Sequence, residues 1–135
     1  MARRFFTPAE ANELLAEVRP LAEKLAAHRR AQAIATVRHA RVARQIVGNG
    51  GGVQPARIDE LEAAVEAEAA AVARCLGELE ALGVLVKDLD QPLLDFPSMR
   101  AGEEVLLCWC LGEDAVRCWH GLDEGFAGRK EVDWS

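Results

Sequence analysis

The stretch Gly48-Asn49-Gly50-Gly51-Gly52 decides the fold, because it separates two long helical patterns. Four glycines in five residues carry too much backbone freedom for a helix interior, so the run predicts a flexible turn. Upstream, Thr7 reads as an N-cap, Pro8 as the first helical residue, and Glu10 stands three after the cap, which makes a capping box. Phe6, just before the cap, can staple against a residue one turn in. The helical pattern then runs to about Val47 without a glycine. Pro20 interrupts it and predicts a kink or a lost hydrogen bond near Ala16. Downstream, a second helix starts after Pro55 and continues to Leu82, with Gly83 as its C′ residue.

Both helices carry apolar seams at three–four spacing. Ile58, Leu61, Val65, Glu68, Val72, Cys75, Leu79 and Leu82 form the second seam. Leu14, Val18, Leu21, Leu25, His28, Gln32, Ala35, His39, Val42 and Ile46 form the first. Joined by a short loop, the two helices should lie antiparallel with these seams facing. The first is arginine-rich between His28 and Arg44 and the second is acidic, so opposite charges flank the seam and help orient it. Counting back from the glycines puts His39 near Val65, Ala35 near Glu68 and His28 near Cys75. One partner helix leaves much of each arm uncovered, and a homodimer through the helices is therefore expected.

After Gly83 the pattern changes to strands. Val84-Leu85-Val86-Lys87 is a short β-like run, and Leu93-Leu94-Asp95-Phe96-Pro97 is an extended segment that Pro97 ends. Residues Glu104 to Leu111 give the clearest strand, with Val116 to His120 as its hairpin partner. Asp123 to Gly128 reads as a terminal loop. The expected fold is α+β within a single domain over 1–135: a helical hairpin over 7–82 and a small antiparallel β unit over 84–135.

Composition narrows the function classes. Half of the 135 residues are apolar, enough for a core, although only four Phe, three Trp and no Tyr are present. A net charge of −6 argues against nucleic acid and anionic membranes as partners. No stretch approaches the ~20 apolar residues of a membrane span. Two arginines near the start precede no long apolar run, so no secretory signal is read. The expectation is a cytoplasmic protein with reduced Cys75, Cys108, Cys110 and Cys118.

The C-terminal third carries a set of ordered motifs. These are Lys87-Asp88-Leu89, Leu94-Asp95-Phe96-Pro97-Ser98 with Arg100 and Gly102, Leu107-Cys108-Trp109, Leu111-Gly112-Glu113, Trp119-His120, and Gly125-Phe126-Ala127-Gly128-Arg129. With Phe6-Thr7-Pro8-Ala9-Glu10-Ala11-Asn12 and Leu14-Leu15 at the N-terminus, the chain resembles a prokaryotic family catalogued as domain of unknown function 2203. The resemblance implies a prokaryotic protein and brings no activity. It also implies that Asp95, Arg100, Cys108, Glu113, His120 and Arg129 belong to the family pattern, whereas Cys110 and Cys118 depart from it.

Three groups of residues could carry chemistry. His120, Glu113 and Asp95, joined by Glu124 and Asp123, offer carboxylates and an imidazole to a divalent transition metal such as zinc or iron. In the competing reading, Arg100 and Arg129 bridge Asp95 and Glu113 to tie loops down. Cys108, Cys110, Cys118 and His120 would make a tetrahedral zinc set only if the hairpin register puts them on one face. Against this stands the role of buried thiols as small apolar residues. His28, His39 and Glu68 break the helical seam; they either hold a metal between helices or fix register. There is no Gly-x-Ser-x-Gly and no phosphate-binding loop. The reading is a dimeric binding or accessory protein with a divalent-metal site in the β unit. The alternatives are a small hydrolase using Glu113 and His120 for acid–base chemistry, and a helical scaffold for a protein partner.

Overall fold

The computed structural model describes residues 3–49 and 55–135. Most of the predicted glycine turn, over 50–54, lies outside the described residues. Helix α1 spans Pro8–Asn49 and helix α2 spans Pro55–Ala81, each within two residues of the predicted ends. The capping box forms: the Thr7 N–H donates to Glu10 Oε1 at 2.8 Å, and the Glu10 N–H donates to Thr7 Oγ1 at 3.1 Å. Phe6 and Ala11 are both buried in one cluster, as the staple requires. α1 continues unbroken through Pro20. At its other end α2 closes with a Schellman turn. Gly83 takes φ 94°, its N–H donates to the Glu80 carbonyl at 2.9 Å, and the Val84 N–H donates to the Leu79 carbonyl at 3.2 Å. Leu79 and Val84, at the two ends of that turn, are fully buried.

The helices pack along the predicted seams, with Val18, Leu25, Val72, Cys75 and Leu79 in the shared core. Their register differs from the count back from the glycines by about one turn at His39 and about two turns at His28. His28 Nδ1 meets Glu68 Oε2 at 2.7 Å rather than Cys75, and His39 Nε2 meets Glu62 Oε1 at 3.3 Å rather than Val65. The buried apolar residues set this register, and each histidine then takes the carboxylate within reach. Burial is uneven along the hairpin: Ile34 is 48% exposed, Val37 56% and Ile46 38%, all toward the glycine end.

Five strands follow as an antiparallel meander in the order β1 to β5: β1 Leu85–Asp88, β2 Leu93–Arg100, β3 Glu103–Cys110, β4 Cys118–His120 and β5 Lys130–Glu131. The fold is α+β. β2 runs past Pro97 because β1 begins at Leu85 opposite Asp95, which leaves the outer edge of β2 open beyond it. Pro97 lacks an N–H, and its carbonyl accepts the Phe6 N–H at 2.7 Å along that edge. The β2–β3 turn is Ala101-Gly102, with φ of 51° and 82°. β4 is two residues shorter than predicted, because the Asn12 side chain takes over Val116: Oδ1 accepts the Val116 N–H at 2.7 Å and Nδ2 donates to its carbonyl at 3.1 Å. Leu94, Phe96, Leu107 and Trp109 pack one sheet face onto the helices. No helix among the described residues is long and apolar enough to cross a membrane.

Candidate metal centre

Side chains alternate across a strand, so the residues between those core positions point to the other face of the sheet. The register aligns them: Asp95 pairs with Cys108, Cys108 with Cys118, and Leu106 with His120. That outer face would be wet if the chain stopped at β4. Instead the segment after His120 folds back over it. Arg129 donates to the Cys108 carbonyl at 3.3 Å, and Leu122, Gly125 and Phe126 line a cavity against Asp95 and His120. Asp95 is left 1% exposed, Cys108 0% and His120 3%.

Within this covered pocket the carboxylate, thiol and imidazole offer ligand atoms that all lie within 4.8 Å of one another. His120 Nδ1–H donates to the Gly121 carbonyl at 2.9 Å, since a carbonyl can only accept. His120 Nε2 faces Asp95 Oδ1 at 3.1 Å. A neutral imidazole held this way turns a lone pair toward a carboxylate. The contact is satisfied by a cation between the two, either a proton or a metal ion. Backbone anchoring of Nδ1 is how metal-bound histidines are oriented. Burial pushes the Cys108 thiol up to about 12, and the neighbouring Asp95 charge adds to this. Without a cation the thiol is protonated, the opposite of an activated nucleophile.

The chain matches, over residues 4–132, the model of a family described as an uncharacterized conserved protein, domain of unknown function 2203. The chain belongs to this family. No curated protein and no solved structure matches it.

Of the residues that the resemblance to domain of unknown function 2203 picks out, Asp95, Cys108 and His120 form the buried group. Glu113 stands apart from it. Its Oε1 accepts the Cys110 N–H at 2.7 Å, and both its oxygens accept from Arg129 Nη2, at 2.8 and 2.9 Å. Burial opposes the charge of Arg129, but the hydrogen-bonded Glu113 carboxylate holds its pKa above the usual value. Arg100 binds Asp133 through Nη2 at 2.9 Å and lies over the rings of Trp119 and Trp134, so it does not bridge Asp95. Glu124 accepts the Gly121 N–H at 2.9 Å, pairs with Lys130 at 2.8 Å, and lines the cavity beside His120. Between the helices His28 meets Glu68 and His39 meets Glu62, and no metal-ligating group of three forms there among the described residues.

The sulfur set is corrected in the same way. Cys108 does face Cys118, but Cys110 and Cys118 lie outside the buried group and Asp95 replaces them. Cys110 is two positions along β3 from Cys108, roughly 7 Å away. What the sequence reading missed is the coupling of Asp95 to Cys108. The signal was present: counting outward from a two-residue turn at Ala101-Gly102 places these two residues opposite each other.

Proposed function

We propose that this protein is a binding protein that holds a divalent transition metal, zinc in preference to iron(II), through Asp95, Cys108 and His120. The observation that supports it is the buried convergence of three different ligand types on neighbouring strands, all within 4.8 Å. One thiolate and one carboxylate balance the two charges of the ion, which offsets part of the cost of burying it. Mixed S, N and O donors suit zinc, and three protein ligands leave a fourth tetrahedral position. Asp95 and His120 border a cavity of about 160 Å³ that Leu93, Leu106, Leu122 and Phe126 line together with Lys87 and Glu124. Acid–base hydrolysis pairing Glu113 with His120 is less well supported, because Glu113 is held by Arg129 and the Cys110 N–H.

The test is elemental analysis of untagged protein, with cobalt(II) substitution. We expect about one equivalent of metal and a thiolate-to-cobalt charge-transfer band. Both should be lost in Cys108→Ser and His120→Ala. Metal well under one equivalent after reconstitution, unchanged by His120→Ala, would overturn the proposal.

A further inference from the structure

The hairpin presents a second surface that the metal reading does not use. At about 100° per residue, Ile34 and Arg38 lie on the side of α1 opposite Leu25, which packs into the core. There the two helices form an open groove of about 370 Å³. Ala31, Ala35, Leu61 and Ala64 line its floor and Ile34 and Arg38 its α1 rim. Small floor residues let another helix approach closely, and Ile34, 48% exposed, stands beside them as a knob without a hole.

We infer that this face docks a second copy of the chain, with α1 of each copy antiparallel over α2 of the other. Charge decides between occupants. Among the described residues the basic side chains of the hairpin that meet a carboxylate are His28 with Glu68, Arg29 with Asp90 of the β1–β2 loop, His39 with Glu62 and Arg57 with Glu60, so Arg38 and Arg41 have no carboxylate partner. The α1 stretch that carries them has no acid, while the adjoining part of α2 is acidic. A twofold axis parallel to the helices lays that basic stretch over the acidic stretch of the other copy, at the register of the hairpin itself. Ile34 then falls on the alanines near Ala64, and Arg38 reaches Glu60. The face is about 40 Å long and two helices, about 20 Å, wide. Overlap along that whole length would bury at most roughly 800 Å² per copy, the area a stable interface of ordinary size buries on each side, with the groove at residues 31–38 and 61–68 as its centre.

Sedimentation equilibrium of the full chain tests this. The wild type should be a dimer that loosens as salt rises. Ile34→Asp, at an exposed position, should weaken association roughly thirtyfold or more, as at an interface hot spot, with the circular dichroism spectrum unchanged. Arg38→Glu should weaken it too, and Arg38→Glu combined with Glu60→Arg should restore it. A wild type that stays monomeric, which would leave the face to a different protein, overturns the inference. So does a dimer that Ile34→Asp leaves intact.

Discussion

At Ala101 the chain holds an alanine at φ 51°, in the left-handed region where a Cβ is strained. Gly102 follows at φ 82°, and two consecutive positive values are the mark of the tight hairpin turn that favours Asn-Gly. Ala101→Asn should therefore stabilise the protein by about 0.5–1 kcal/mol, read from the urea midpoint at constant slope. A destabilised variant would mean that the turn does not strain Ala101. The pair Asp95 and His120 sits at the other extreme. Both are almost fully buried, and each is the other's partner. Removing one member of a buried polar pair leaves the other unsatisfied, so Asp95→Ala should cost about 3 kcal/mol in metal-free protein. A loss below about 1 kcal/mol would show that water replaces the carboxylate without strain.

At the scale of elements, the helices were legible in the sequence and the sheet only in part. Thr7, Pro8, Glu10 and Gly83 signal helix ends through local chemistry, and the seams through Leu79 and Val72 follow a regular period. The sheet depends on partners distant in sequence. β4 is shortened by Asn12, more than a hundred positions away, and β5 is too short to show a period. The same reason hid one of the three ligands: Asp95 and His120 read as neighbours in chemistry, whereas Cys108 joins them only through strand register. Asn12→Ala should leave the Val116 N–H and carbonyl without their partner and cost about 2 kcal/mol in urea unfolding. The capping box predicts a pH effect. The Thr7 N–H, then its hydroxyl, hold the Glu10 carboxyl below its ordinary 4.5. A carboxyl lowered in the folded state adds stability above its unfolded pKa and loses it as pH falls through the folded value. Melting curves from pH 6 to pH 3 should therefore fall less steeply in Glu10→Gln than in wild type. Equal slopes would show that Glu10 does not titrate against the cap.

Over the whole molecule, the buried group and the hairpin groove lie on separate elements: one beneath the C-terminal segment on the outer sheet face, the other between α1 and α2. Sites without shared partners act additively. A metal that binds the folded chain and not the unfolded one raises stability by RT ln(1 + [L]/Kd). This is about 2.7 kcal/mol at a hundredfold excess of free metal over Kd, or about 10 °C in Tm for a chain of this length. Zinc should thus raise Tm by about that amount in wild type, and chelator should reverse it. Cys108→Ser should abolish the shift while leaving the dimer intact. Ile34→Asp should keep the shift and lose the dimer. A zinc shift of equal size in wild type and Cys108→Ser would place the metal elsewhere on the chain. Loss of the shift in Ile34→Asp would mean that the two surfaces are coupled through the hairpin, because the C-terminal cover that buries Asp95 and His120 makes no use of Ile34.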